Sequence, residues 1–445
     1  MFGTSGIRGE VGTDVTCDLA LAAGRALAAE GYDRVVVGRD PRESGEMLAD
    51  AVSAGLRESG ADVVRLGMAA TPTVARSVSW RDADAGVAVT ASHNPAKDNG
   101  LKLWNPSGQA FDESQREAIA DRIRQEDFDL RAWDELGSQR RWEDAADRHA
   151  AALADAVDVD GDLTVVVDVG NGAGGVTAEA LQRLGCTVTT LNAQPDGRFP
   201  ARPSEPTPEA CERLCQTVAA TDADLGIAHD GDTDRMQAVT ADGEFVPGDA
   251  LLALFGREAA GDGDAVAAPL NVSLAVDDAL AEVGASLTRT RVGDVYVAER
   301  AAEPDVAFGG EESGAWIWPS QVLCPDGPLA ACRLAELVAD RGPLADLVAE
   351  VPSYPIERTS VRTDEKAAVM ERVAAEVADR YRDVTTDDGV RVETDDGWLL
   401  VRASGTQPLV RVTAEARSEA RAAELFEEAT DIVEDAAANA AASND

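Results

Sequence analysis

Short runs of β-branched residues alternate with alanine-rich stretches along most of the chain. Arg34-Val35-Val36-Val37-Gly38 is a run of β-branched residues, which predicts a buried strand. The 45–59 region reads as a helix, and 62–66 and 85–90 as further strands. The rhythm returns at Leu163-Thr164-Val165-Val166-Val167-Asp168, passes a glycine cluster at 170–175, and continues through a helix to a strand at about 186–191. A third such unit runs from about 248 to 349. Repeated βαβα order of this kind predicts parallel or mixed sheets covered by helices. The pattern changes after Pro352 and Pro355. Short strands at 356–361, 389–394, 398–402 and 409–414, with two helices, give an α+β unit, and the last dozen residues read as a fraying helix and tail. A chain of 445 residues is too long for one core. The expected divisions are 1–150, 151–247, 248–351 and 352–445.

Polar interruptions of this pattern carry the candidate chemistry. Ala88-Val89-Thr90-Ala91-Ser92-His93-Asn94-Pro95 runs an apolar strand into a hydroxyl nucleophile with a histidine beside it, and a proline stops the strand. Its bland alternative is an ordinary polar loop. In His229-Asp230-Gly231-Asp232-Thr233-Asp234-Arg235, three carboxylates at alternate positions can converge on a hard divalent cation, followed by a fixed phosphate-pairing guanidinium. An EF-hand loop counted from Asp230 would need glycine and glutamate where Arg235 and Ala241 stand. Mg²⁺, completed by water or phosphate, suits three carboxylates better. A solvated acidic loop is the competing reading.

Two further turns are rich in polar groups. Glu311, Glu312 and Ser313, between glycines, offer acceptors to sugar hydroxyls. Arg402-Ala403-Ser404-Gly405-Thr406-Gln407-Pro408 places a guanidinium, two hydroxyls and a glycine-freed backbone together, the makings of a phosphate nest. The opening Phe2-Gly3-Thr4-Ser5-Gly6-Ile7-Arg8-Gly9 has similar chemistry and can contribute Arg8. By contrast, GNGAGG at 170–175 lacks the GxGxxG spacing, and no acidic residue closes the following strand, so dinucleotide binding is not expected there.

Composition sharpens these choices. The formal net charge is −42, from 82 acidic and 40 basic residues, which argues against nucleic acid or an anionic membrane as partner. Such charge suits a halophilic protein, because concentrated salt screens self-repulsion. Lysine occurs only at 97, 102 and 366, so two of three lysines flank Ser92. Unlike arginine, a lysine in a closed cleft can exchange its proton, which marks Lys102 for acid/base work. Six cysteines show no CxxC pair and read as reduced thiols. With neither a signal peptide nor 18 consecutive apolar residues, a cytoplasmic protein is expected.

Taken together, TASHNP, DGDTDR, GEESG and RASGTQP resemble, in order, the four signatures of the α-D-phosphohexomutase family, which covers phosphoglucomutases, phosphomannomutases and phosphoglucosamine mutases. The resemblance extends over essentially the whole chain. The FGTSGIRG opening and the VGD at Val292–Asp294 look most like the archaeal phosphoglucosamine mutases. It implies an α/β fold of three similar mixed-sheet domains and a smaller C-terminal α+β domain around a central cleft. Ser92 would be the phosphorylated serine and a fourth metal ligand beside Asp230, Asp232 and Asp234. Arg235 would face its phosphate. Lys102 and His93 would sit where the family has its acid/base lysine and adjoining histidine. Glu311 and Ser313 would grip the sugar, while Arg402, Ser404, Gly405 and Thr406 would hold the nonreacting phosphate. Mg²⁺ as cofactor and a hexose 1,6-bisphosphate as intermediate and activator follow. Gln407 departs from the more usual glutamate, and Trp316 occupies a region where some relatives place a histidine. The expected reaction moves phosphate between positions 6 and 1 of a hexose, with glucosamine phosphate the first choice and mannose or glucose phosphate the alternative. A metal-dependent sugar phosphatase is the rival from another enzyme class, and a non-enzymatic phosphosugar sensor is disfavoured by four intact motifs.

Overall fold

A computed structural model describes residues 3, 6–382, 384–404 and 408–442. The chain divides into two compact units, Met1–Leu252 with Gly293–Glu350, and Ala253–Val292 with Val351–Asp445.

In the first unit, among the described residues, a six-stranded sheet runs edge to edge through Ile7–Glu10, Asp98–Trp104, Ala85–Val89, Arg34–Arg39, Asp62–Met68 and Gln139–Arg141. Its last four strands are parallel, whereas Asp98–Trp104 pairs antiparallel with both of its neighbours. Val35 and Val37 enter one core with Leu27, Leu48, Val52 and Leu56, while Val36 enters another with Val74, Val78 and Trp104. Burial on both faces is therefore the reason for the unbroken valine run. Helices Cys17–Ala29 and Gly45–Glu58 cover the first face. Their backbones meet at glycines: a Cβ on Gly24 would lie 2.2 Å from the Val52 carbonyl oxygen, and one on Gly55 2.1 Å from that of Leu21.

A second mixed sheet has the order Met236–Thr240, Leu225–His229, Thr164–Asp168, Thr187–Leu191. Its first pair is an antiparallel hairpin, and the other pairings are parallel. Val306–Glu311 and Ala315–Ile317 form another antiparallel hairpin in this unit. The second unit contains the parallel pair Ala265–Pro269 and Ser286–Thr290, and an antiparallel sheet of five strands, in the order Ile356–Arg362, Leu409–Ala416, Gly397–Ala403, Val390–Glu393, Val384–Thr385.

The predicted strands and helices are thus present, with shifted ends. At the C-terminal end Glu419–Ala442 is one helix, and 443–445, the rest of the expected helix and tail, lie outside the described residues. Ala429, Ile432, Val433, Ala436 and Ala440 recur at helical spacing and are buried against the sheet, which holds the helix to its end. Among the described residues, no helix is long and apolar enough to cross a membrane.

Candidate active site

Strand Ala85–Val89 is wholly buried and delivers the chain to Ser92, whose φ is +51°. Left-handed backbone is uncommon for a residue with a Cβ, costs about 1–3 kcal/mol, and persists only where surrounding structure imposes it. Here Arg42 imposes it. Its Nη2 donates to the carbonyls of Ser92 (2.8 Å) and Asn94 (2.7 Å), and its Nη1 to those of Pro95 (2.6 Å) and Asp98 (2.7 Å). Nε donates to Asp40 Oδ2 at 2.9 Å, so all five donors of a buried guanidinium are used. Thr90 Oγ1 adds a bond to Asp40 and accepts the Ser92 N–H. Burial pushes the Asp40 carboxyl up to about 6, against the pull of Arg42.

The second loop joins the two strands of the Leu225–His229 and Met236–Thr240 hairpin. Thr233 there has φ +65°, a second imposed left-handed residue. Arg202 does for this loop what Arg42 does for the first, with Nε on Asp168 Oδ2 at 2.7 Å and Nη2 on the His229 carbonyl at 2.6 Å. The GNGAGG cluster supplies its seat: Ala173 N–H donates to the Gly231 carbonyl, and a Cβ on Gly172 would come within 2.7 Å of that oxygen. Ser204 ties the loops together, its hydroxyl donating to the Ser92 carbonyl (3.1 Å) and accepting the Gly231 N–H (3.0 Å).

Between these supports the chemistry-bearing groups meet. Ser92 Oγ donates to Asp230 Oδ2 at 2.8 Å. Asp232 accepts from Thr71 Oγ1 (2.6 Å) and Lys102 Nζ (2.8 Å), and Lys102 also pairs closely with Asp234. Carboxylate oxygens of Asp230, Asp232 and Asp234 all lie within 4.8 Å of one another, and all three residues are buried. Burial and mutual repulsion raise the carboxyls of Asp230 and Asp234, while Lys102 and hydrogen bonds overcome burial to hold Asp232 low. Asp232 Oδ1 is buried without a hydrogen-bond partner. Excess buried negative charge with an unused oxygen fits a divalent cation.

Lys102 comes from strand Asp98–Trp104, opposite Ala88, and burial alone would depress its pKa; Asp232 and Asp234 instead raise it, so it is an ammonium here. His93 has a different character. Burial, with the charges of Arg235, Arg8 and Lys102, pushes its imidazole down to about 2, and Nδ1 is buried without a partner. It is neutral, and the acceptor for the Ser92 hydroxyl is Asp230. Arg8, on the edge strand opposite Gly100, carries a buried Nε without a hydrogen-bond partner. Arg235 donates its backbone N–H to Asp230 and a guanidinium N–H to Glu205. Glu311 ends strand Val306–Glu311, accepting from Gly293 N–H (2.8 Å) and Ser313 Oγ (3.2 Å). Burial and the neighbouring Asp294 raise its carboxyl to about 7.

The first unit therefore brings together Ser92, Lys102, Asp230, Asp232 and Asp234 by direct contact, with the charges of Arg8, Arg235 and Glu311 around them. His229 instead bonds Thr177 and the Arg235 carbonyl, a satisfied core histidine. Trp316 is fully buried and donates to the Met236 carbonyl, which makes it a packing residue. Arg402 and Ser404 belong to the second unit. There Arg402 Nε pairs with Asp388 Oδ1 at 2.9 Å, Asp388 Oδ2 accepts the Val292 N–H, and Lys366 Nζ donates to the Ser404 carbonyl. Gly405 and Thr406 lie outside the described residues. Sequence reasoning missed Arg42, Asp40, Thr71, Arg202 and Ser204 as parts of the site. The only signal was the pairing of Asp40 with Arg42 right after a buried strand.

Comparison with known proteins agrees with this geometry. The chain matches the phosphoglucomutase/phosphomannomutase α/β/α domains I, II and III over residues 1–130, 147–243 and 247–354, and the C-terminal domain over 359–432. It is 48% identical over 436 residues to a probable phosphoglucosamine mutase of Methanothermobacter thermautotrophicus, covering 96% of each chain. A second, from Methanopyrus kandleri, is 48% identical over 441 residues and 97% of each. A solved phosphoglucomutase/phosphomannomutase family protein from Burkholderia thailandensis superposes with TM-score 0.88 at 29% identity, over 98% of both chains. With all four domains matched over nearly its full length, the chain belongs to the phosphoglucomutase/phosphomannomutase family of hexose-phosphate mutases.

Proposed function

We propose that this enzyme interconverts glucosamine 6-phosphate and glucosamine 1-phosphate through phospho-Ser92, with the 1,6-bisphosphate as intermediate and activator. The observation that carries the mechanism is the Ser92 hydroxyl, buried on an imposed left-handed turn and hydrogen-bonded to a carboxylate group that also holds Lys102. The names of the full-length archaeal relatives support the amino sugar.

In the first half-reaction the bond between phosphorus and Ser92 Oγ breaks as one forms to the free sugar hydroxyl, and that hydroxyl's proton is replaced on Oγ. The second half-reaction runs the same exchange at the other end of the bisphosphate, returning phosphate to Ser92. Asp230, Asp232 and Asp234 would hold Mg²⁺, which neutralises charge on the transferring phosphoryl group when bound. Arg235 and Arg8 supply fixed cationic donors to phosphate. Lys102, an ammonium in the ground state, gives its proton to the departing oxygen and regains one from the attacking sugar hydroxyl, an acid/base contribution of roughly 10²–10⁴-fold. His93 stays neutral and serves as a hydrogen-bonding group. Glu311 and Ser313 receive sugar hydroxyls, and Arg402, Ser404, Gly405 and Thr406 hold the phosphate that is not reacting. The four domains divide near 150, 247 and 351, and the acidic surface suits a saline cytoplasm.

The test is kcat/KM on glucosamine, glucose and mannose 6-phosphates, in molar KCl with Mg²⁺ and a trace of the matching bisphosphate. A clear preference for glucosamine is expected. Preference for glucose or mannose overturns the substrate assignment, and release of inorganic phosphate without isomerisation overturns the mutase reading.

A further inference from the structure

Helix Thr71–Trp80 begins against the loop that carries the three aspartates, and its first residue holds one of them at two points. The Thr71 N–H donates to the Asp232 carbonyl oxygen at 2.8 Å, and the Thr71 hydroxyl donates to Asp232 Oδ2 at 2.6 Å. The helix is itself anchored further along. Thr73 Oγ1 bonds His149 Nδ1 at 2.8 Å, and Arg76 Nε donates to Asp326 Oδ2 at 2.7 Å, with all four side chains buried. Thr71 is buried too, and a β-branched side chain has few rotamers to choose from, so its hydroxyl is a fixed donor.

The two oxygens of the Asp232 carboxylate have different surroundings. Oδ2 accepts from the Thr71 hydroxyl and from Lys102 Nζ at 2.8 Å, whereas Oδ1 is buried and accepts nothing. A buried acceptor left unused is costly, and Oδ1 lies in the group where the carboxylates of Asp230, Asp232 and Asp234 converge. Lys102 is a poorer anchor for this orientation. Its ammonium is shared with Asp234, sits on a flexible stem, and exchanges its proton in the reaction proposed above.

We infer that Thr71 is a positioning residue of the metal centre: its hydroxyl occupies Asp232 Oδ2 and so commits Oδ1 to the divalent cation. This rests on the metal reading of the three aspartates. Partners that orient metal ligands change affinity by roughly 10–100-fold when removed.

The experiment titrates Mg²⁺ calorimetrically into full-length wild type, Thr71→Val and Thr71→Ser, each freed of metal by a chelator and matched for Ser92 phosphorylation by intact mass. In T71V, which keeps the shape and loses the hydroxyl, the Mg²⁺ dissociation constant should rise roughly 10–100-fold. T71S, which keeps the hydroxyl, should stay close to wild type. The rise in thermal midpoint on adding Mg²⁺ should likewise be smaller in T71V and preserved in T71S. Should T71V fail to fold, Thr71→Ala also removes the hydroxyl and should show the same loss of affinity. Wild-type binding with affinity unchanged in T71V or T71A, or weakened as much in T71S, overturns the role of the Thr71 hydroxyl and leaves the three aspartates as the metal site. A wild type that takes up no Mg²⁺ overturns the metal reading itself.

Discussion

Ser92 and Thr233 are β-carbon-bearing residues held at positive φ, and both sit in the loops that carry the reacting groups. Their strain is stored locally and opposed by buried arginines. Replacing Arg42 with methionine would leave Asp40 buried without its cation and four carbonyls without donors, destabilising the fold by about 3–5 kcal/mol; a thermal midpoint within a degree of wild type would refute this. Asp230→Ala removes the acceptor of the Ser92 hydroxyl and one carboxylate of the metal group, so turnover should fall at least roughly 10³-fold. A near wild-type rate would remove the metal assignment. Glu311, raised to about 7, predicts a pH effect: as pH falls through 7 its carboxylate becomes neutral, accepts sugar hydroxyls less well, and KM rises. Substrate phosphate also titrates near there, at about 6. Measuring KM against pH in Glu311→Gln isolates the protein's share, because the inflection near 7 should disappear in the variant. At this scale, the groups that do chemistry were legible because they interrupt apolar strands. Those that position them were not: Arg42 and Arg202 act on backbone carbonyls 50 and 27 residues away, and no local pattern marks such a bond.

The elements repeat one device. In the first sheet an aspartate just past a buried strand, Asp40, orients an arginine that grips the Ser92 loop; in the second, Asp168 orients Arg202, which grips the metal loop. A third buried pair acts on helix Gly327–Arg341. Its N-cap, Asp326, accepts the Leu329 N–H and pairs with Arg76 at 2.7 Å and His149 at 3.3 Å. Burial alone would raise the Asp326 carboxyl, but Arg76 and His149 hold it well below the usual range. A depressed carboxyl stabilises the fold above its unfolded pKa of about 4, and that contribution is lost as pH falls towards the folded value. Burial also depresses His149, which adds stability lost below about 6.5, in the same direction. The thermal midpoint should therefore drop as pH falls from 7, and its further drop below pH 4 should be smaller in Asp326→Asn, whose midpoint at pH 7 is already lower; equal drops below pH 4 would contradict the network. Strand and helix order was readable because Val35, Val36 and Val37 can satisfy two cores only in a covered sheet. Strand Asp98–Trp104 was harder to see, since its Asn99 and Lys102 are polar residues buried for function and structure rather than for packing.

For the whole molecule, charge is the dominant sequence feature. A net charge of −42 opposes the compact state, and salt screens it over a Debye length of about 3 Å at 1 M against 10 Å at 0.1 M. The thermal midpoint should rise steadily from dilute buffer to molar KCl, and a flat profile would refute a salt-adapted surface. Scarcity of lysine proved informative at the same scale: Lys102 enters the carboxylate group and Lys366 binds the Ser404 carbonyl of the predicted phosphate loop. The central claim is that Ser92 gives its phosphate to one end of the sugar and takes back the phosphate from the other. Glucosamine 6-phosphate labelled in its phosphate, incubated with Mg²⁺ and followed on both protein and sugar, tests it most directly. The account predicts label on Ser92 and in glucosamine 1-phosphate, none in inorganic phosphate, and neither product with Ser92→Ala. Label appearing chiefly in inorganic phosphate, or isomerisation by Ser92→Ala at the wild-type rate, would contradict it.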